Sequence, residues 1–230
     1  MTRADILLKA PAIAIDGPSA SGKTTVGLRL AERLGYTFID TGAMYRAVTL
    51  LALERGLRLD DIDALTRLAQ SIAIRFSEQK GSRPPDVFVD GRNVTASIYT
   101  TAVDAAVSAV SKVPGVRHAL VKQQRDLAAK GRVVMVGRDI GTQVLPDARL
   151  KIFLEASAEV RARRRFLEMD KRGGAQTFEF VLADLRRRDD IDSKREMSPL
   201  VAAHDARRVD TNDRNVEQVV DSISEMLERL

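Results

Sequence analysis

The run Gly17-Pro18-Ser19-Ala20-Ser21-Gly22-Lys23-Thr24 fits the spacing G-x-x-x-x-G-K-[ST]. Glycines at both ends let a loop wrap closely around an anion while its main-chain N–H groups donate inward. A helix opening at the lysine adds partial positive charge from its N-terminus. The Lys23 ammonium is expected to bridge the β- and γ-phosphates of a nucleoside triphosphate and the Thr24 hydroxyl to ligate Mg²⁺, with Thr25 completing the binding set. The loop alone means triphosphate binding and no more, because switches, motors and kinases share it. Nucleotide switches also carry an Asn-Lys-x-Asp segment, and none occurs in the chain. Asp170-Lys171-Arg172-Gly173 matches a switch spacing but lies in a basic helical stretch rather than after a strand.

Three further clusters suit a second phosphate ester. Asp40-Thr41-Gly42-Ala43-Met44-Tyr45-Arg46 follows an apolar run and opens a helix from which Arg46 can reach an anion. Gly137-Arg138-Asp139-Ile140-Gly141-Thr142 falls at the C-terminal end of another apolar run, the edge where ligands sit in parallel sheets. Arg188, Asp192 and Arg195 are spaced to share one helix face; taken alone, that trio also reads as a surface ion-pair ladder. A fourth group, Arg161, Arg164 and Arg165 with Arg163 alongside, follows a cap at Ser157. It reads either as a solvated face or as a mobile flap whose guanidiniums close over polyphosphate and keep water out.

Elements must bring these clusters together. Ala12–Ile15 stops at Asp16-Gly17-Pro18, and Val26, Leu30 and Leu34 make a helical stripe ended by Gly35. Phe38-Ile39, Val133–Val136 and Leu150–Leu154 are further short apolar runs, Val209 lies in a weaker one, and a closing helix starts at Asn215 and buries Val216, Val219, Ile223, Met226 and Leu230. Short apolar strands alternating with amphipathic helices predict an α/β fold, a parallel sheet wrapped by helices. Residues 60–100 break that rhythm: Ile72, Ile74 and Phe76 alternate with polar neighbours, and Asp90-Gly91 sits between Val87-Phe88-Val89 and Asn93-Val94 as a hairpin turn. This predicts a small antiparallel insert at 60–100, with the core in 1–59 and 101–230 and the flap at about 157–175.

Composition narrows the classes. A hydrophobic fraction of 44% with 30% charge suits a folded core and excludes disorder. No apolar run approaches the ~18–20 residues of a membrane span, and Met1–Ala10 carries no secretion signal. Absence of Cys excludes disulfides and thiolate chemistry, and two His are too few for a histidine metal site. The chain reads as soluble, cytoplasmic and monomeric. Arg outnumbers Lys 28 to 9 within a net charge of +5. Codon bias with solvated helix faces accounts for most of that excess, and the remainder suits an anionic partner. With 4% aromatics and no Trp, nucleic acid is not the expected partner.

Together these blocks resemble the bacterial cytidylate kinase family of nucleoside monophosphate kinases. The Asp40–Arg46 and Gly137–Thr142 strings carry the likeness most strongly, joined by Arg188 to Arg195 ending in Ser198-Pro199-Leu200, and by the insert running on to Val113-Pro114-Gly115-Val116-Arg117. The resemblance implies a three-layer P-loop kinase fold with a five-stranded parallel sheet, and phosphoryl transfer from ATP with Mg²⁺ to CMP or dCMP. It implies that Arg46, Arg138 and Arg195 hold the acceptor phosphate, and that Ser108, Arg117 and Asp139 read the cytosine edge. Thr41 would contribute a hydroxyl near the acceptor, Arg188 and Asp192 would face the sugar, and Arg161 and Arg165 would clamp the donor. Lys23, Arg138, Arg161 and Arg165 are thus the expected catalytic cations, and no side-chain nucleophile is required. Two positions depart from the family pattern. Val136 stands where an acid is frequent, so metal holding falls to Thr24, to Asp16 or to solvent, and Tyr99 stands where Arg is common. A kinase of another small acceptor on the same scaffold, and a nucleotide-switched RNA-binding module, are the competing readings.

Overall fold

The computed structural model describes residues 12–78, 81, 83–171 and 176–230. Met1–Ala10 and the end of the Asp170–Gly173 motif lie outside them.

Five parallel strands form the main sheet: β1 (Ala12–Asp16), β2 (Thr37–Asp40), β6 (Val133–Gly137), β7 (Leu150–Glu155) and β8 (Arg207–Asp210), in the spatial order β2-β6-β1-β7-β8. In-register pairs such as Ile15 with Val136 and Ile152 fix β1 at the centre. Alternation along the strands assigns the faces. Ile13, Ile15, Val134, Val136, Ile152 and Leu154 point to one side, where α1 (Lys23–Leu34) and α8 (Val216–Glu228) add Val26, Leu30, Val219 and Ile223. Ala14, Ile39, Val133 and Met135 point to the other, toward Ile140 and Val144. Each fully buried Val, Leu or Ile contributes about 1.5–3 kcal/mol by leaving water, so both faces must be covered. The closing helix has the expected Asn215–Gln218 capping box. Leu230, expected in its buried stripe, is 56% exposed because the helix ends at Glu228.

A second core unites α2 (Thr41–Glu54), α3 (Ile62–Ser71), α4 (Thr101–Val110) and α5 (Pro114–Ala128) with a three-stranded sheet, β3 (Ile74–Phe76), β4 (Val87–Val89) and β5 (Arg92–Asn93). The strands are antiparallel as expected, and Asp90 and Gly91 take φ of 49° and 86°, the left-handed pair that a two-residue hairpin requires. Sequence periodicity missed α3 within this segment, although Asp61 caps it through Ala64 N–H. A third cluster joins α6 (Ala158–Asp170) to α7 (Phe178–Lys194), with Phe166 and Phe178 edge to face at 6.4 Å.

Because the strands run in parallel, all five end on the same edge. β1 continues toward β2 on one side while β6 leads to β7 on the other, so the chain reverses direction across the sheet beside β1. A crevice opens outside the strand ends at such a point. The glycine-rich loop, Asp40, Arg138, Asp139 and the start of α6 all emerge there.

Candidate active site

The loop between β1 and α1 has the twisted backbone its composition promised. Gly17, Ala20 and Gly22 take φ of 149°, 58° and 96°. At Gly17 a Cβ would stand 2.3 Å from the Leu154 carbonyl oxygen, so only glycine fits. Lys23 is the first residue of α1 and is buried. Its Nζ donates to the Pro18 carbonyl at 2.6 Å, folding the side chain back over the loop. Burial holds the Lys23 ammonium well below the usual lysine range, and the nearby Arg138 guanidinium pushes it the same way. The Asp40, Asp16 and Asp192 carboxylates act on it in the opposite sense, so the loop is a site of concentrated, partly balanced charge. Around the loop, the Thr211 hydroxyl lies 3.2 Å from the Ser21 carbonyl oxygen.

Ser19 to Thr25 form one end of a cavity of about 920 Å³. The other end is lined by Arg46, Arg138, Arg188, Arg195, Arg117 and Asp139, with Ser108, Thr41 and Asp192 also on the wall. Arg138 and Asp139 follow β6 directly. Arg138 Nε donates to Asp192 Oδ2 at 2.9 Å. Arg195 does not continue the helical face of Arg188 and Asp192: it leaves α7 as an extended cap, φ −66° and ψ 140°. Its side chain is 6% exposed, and Nη2, 3.9 Å from Asp139 Oδ1, has no hydrogen-bond partner among the described residues. A buried guanidinium with an idle donor on a cavity wall is a place for an oxyanion.

Deeper in, Arg117 and Asp139 form a buried ion pair. Arg117 Nη1 donates to the Ser111 carbonyl at 3.1 Å, and its guanidinium lies 5.4 Å from the centre of the Tyr45 ring. A fixed cation beside a fixed carboxylate presents donors and an acceptor together, the pattern needed to read the edge of a heterocycle. Thr41 Oγ1 donates to the Val136 carbonyl at 2.9 Å, joining the start of α2 to β6.

The arginines of α6 divide. Arg164 and Arg165 line the cavity. Arg161, expected to close over the donor, is 5% exposed and held in place: it pairs with Asp189 at 2.7 Å and donates to the Ser19 carbonyl at 3.2 Å. It therefore braces the glycine-rich loop from behind.

Thr24 is the expected metal-holding residue, with Asp16 or solvent as further candidates. Asp16 is already committed, since Oδ1 and Oδ2 accept the main-chain N–H groups of Ile140 and Gly141, both at 2.8 Å. Burial pushes its carboxyl up to about 6, against the pull of those two bonds. Asp40 stands beside Thr24: it caps α2 through Gly42 N–H, and its Oδ2 accepts from Thr24 Oγ1 at 3.0 Å. Among the described residues no three His, Cys, Asp or Glu converge as a closed cage. A hydroxyl and a carboxylate at a phosphate loop suit Mg²⁺, which keeps several waters and takes phosphate oxygens as ligands.

The family model for cytidylate kinase aligns with residues 13–229. The chain belongs to the cytidylate kinase family. The cytidylate kinase of Limosilactobacillus fermentum is 48% identical over 224 residues, covering 97% of this chain and 98% of that one. The cytidylate kinase of a Geobacillus species is 50% identical over 216 residues, covering 94% and 95%. A solved structure of an uncharacterised protein from Eubacterium ventriosum shares the fold, with a TM-score of 0.52 at 15% identity, covering 96% of this chain and 100% of that one.

Within the cytidylate kinase family the two departures acquire a structural meaning. Val136 is a core residue, close enough to α1 that a Cβ on Gly27 would meet its Cγ1 at 2.5 Å. It brings no ligand to the cavity. Tyr99 ends a short 3₁₀ turn and lays its ring 5.3 Å from the Arg46 guanidinium. Sequence reading missed Asp40 as the partner of Thr24, and Asp104 and Asp189 as partners of Arg46 and Arg161. Asp40 had a signal, since it ends a strand and caps a helix. The other two had none, because Asp104 meets Arg46 across 58 residues and Asp189 meets Arg161 across 28.

Proposed function

We propose that the chain transfers the γ-phosphoryl group of ATP to CMP, and to dCMP, with Mg²⁺. One observation carries this reading: Lys23 at the glycine-rich loop and the buried, under-bonded Arg195 line the same cavity, with Arg138 close enough to Lys23 to depress it. In this reading the triphosphate lies along the loop, and the acceptor phosphate lies against Arg46, Arg138 and Arg195. The acceptor's own phosphate oxygen attacks, so the protein supplies alignment and charge neutralisation. Cytosine presents an amine that donates and N3 and O2 atoms that accept. The Asp139 carboxylate suits the first, and Arg117 with Ser108 suits the second. Arg188 and Asp192 face the sugar. Arg165 and Arg164 cover the donor, while Arg161 acts by bracing the loop. Thr24 and Asp40 would hold Mg²⁺, which supplies a further positive charge for the polyphosphate. The proposed reactants are small nucleotides, met by a cytoplasmic monomer. No helix among the described residues is long and apolar enough to cross a membrane.

The test is ADP formation measured with AMP, GMP, UMP, CMP and dCMP as acceptors. Turnover dependent on CMP or dCMP and far slower with the purines is expected. Equal rates, or turnover only with a non-nucleotide acceptor, would refute the assignment.

A further inference from the structure

Asp104 takes no part in the reaction as set out above, yet it is the most heavily engaged carboxylate near the cavity. It lies in the first turn of α4 with its side chain 16% exposed. Oδ1 meets Arg46 Nη2 at 2.6 Å and Oδ2 meets Arg165 Nη2 at 2.8 Å. Arg188 Nη1 stands 4.0 Å from Oδ1, and Arg188 Nη2 donates to the Asp104 carbonyl at 2.8 Å. The three arginines come from three helices, α2, α6 and α7, and all line the cavity, whereas Asp104 is not among its lining residues. It meets the guanidiniums from the α4 side.

Three guanidiniums converging without a counter-charge repel one another and turn toward solvent. One carboxylate that offers a separate oxygen to each of two of them, and its main-chain carbonyl to the third, fixes both where they lie and how their forks face. Tyr99 adds a ring beside Arg46, whose Nη1 also donates to the Ile98 carbonyl at 3.2 Å, and Asp184 holds Arg188 Nε at 2.7 Å. Groups already gathered need not be ordered when the phosphates arrive, and that saving appears in catalysis.

We propose that Asp104 is a positioning residue that gathers Arg46, Arg165 and Arg188 into one phosphate-facing set and ties the acceptor-side arginine to the arginine of α6. This rests on the reading of Arg46 and Arg165 as phosphate ligands. Asp104 touches no reacting atom and acts through the three cations.

Three variants test it, with kcat/KM measured for the acceptor that the nucleotide panel identifies. Asp104→Asn is expected to lower kcat/KM by about tenfold, because a positioned cation is misplaced rather than lost. Asp104→Glu, which keeps the charge, is expected to restore most of the rate. In an Arg46→Met background the same Asp104→Asn change should cost less than about threefold, since residues acting as one unit are non-additive. An equal loss in both backgrounds, no rescue by glutamate, or a loss that merely follows the melting temperature would overturn the proposal. A second readout needs no substrate: hindered guanidinium rotation in the free protein, seen as separate Nη signals of Arg46 and Arg165 by nitrogen NMR. These signals should merge in Asp104→Asn. If they merge while no cytidine nucleotide is turned over, the substrate reading falls and the positioning role stands. If CMP is turned over and neither rate nor signals respond to Asp104→Asn, the positioning role falls alone.

Discussion

Breaking the buried Arg117–Asp139 pair separates what the pair does for the fold from what it does for the substrate. In Arg117→Met the Asp139 carboxylate, 6% exposed, loses its bonded partner and, among the described residues, keeps only Arg195 Nη2 at 3.9 Å, without a hydrogen bond. Removing one partner of a buried pair costs about 3–5 kcal/mol, and the nearby Arg195 charge places this case at the lower end, about 3. For a chain of this length each kcal/mol lowers the melting temperature by about 2–4 °C, so a fall of about 6–12 °C is expected. Asp139→Leu should fall comparably, since it strands Arg117 and Arg195 together. The double variant Arg117→Met with Asp139→Leu removes both charges and refills the space with apolar side chains, which is often close to neutral. It should therefore melt well above the sum of the single losses, while its turnover of CMP remains lost. Thermal unfolding of the four proteins, with initial rates on CMP and UMP, completes the cycle. A double variant destabilised by the full sum would show that the pair carries no coupling. Asp139→Asn, which keeps an oxygen for Arg117 but loses the charge, should lose preference for cytosine over uracil. Unchanged selectivity would remove Asp139 from base reading.

Lys23→Ala should leave the far-ultraviolet circular dichroism unchanged and lower kcat by at least about a hundredfold, because a preorganised charge on the transferred phosphoryl group is lost; near-normal turnover would refute the donor site. Gly17→Ala places a Cβ 2.3 Å from the Leu154 carbonyl, so the loop must shift, and the KM for ATP should rise by about tenfold or more in steady-state assays. Asp16, raised from 3.8 to about 6 by burial, makes stability depend on pH. The folded state binds its proton more tightly than the unfolded chain, so the contribution is complete below about pH 4 and is lost as pH rises through 6, an amount of about 3 kcal/mol. The stability difference between the natural protein and Asp16→Asn, from urea unfolding, should grow in favour of the natural protein from pH 7 to pH 4; a difference flat with pH would contradict this.

Much of the scaffold was legible because it is written in local terms. Short apolar runs marked four of the five parallel strands, with Val209 a weaker sign of the fifth, and the Asn215–Gln218 box and the Asp90-Gly91 pair each announce their own geometry over four residues or fewer. The glycine-rich loop was legible for the same reason, since its chemistry and its sequence are contiguous. What escaped is non-local or conformational. The π-helical turn at Ile140–Val144, which follows Arg138 and Asp139 directly, has no periodic signature. The division of labour among the arginines was equally hidden. Arg161 and Arg165 are alike and one turn apart, but Arg161 faces Asp189 on α7 while Arg165 faces Asp104 on α4. Only packing distinguishes the two.

The two amide bonds to Asp16 have a geometric consequence. Asp16 is the residue immediately before the glycine-rich loop, and the amides it holds belong to the residues immediately after Arg138 and Asp139. One buried side chain thereby spans the two halves of the cleft, at the point where each half leaves the sheet. The glycine-rich loop and the segment after β6 are thus tied by a ruler only a few bonds long. A shortened or absent ruler would let the glycine-rich loop and the segment after β6 drift apart where they leave the sheet.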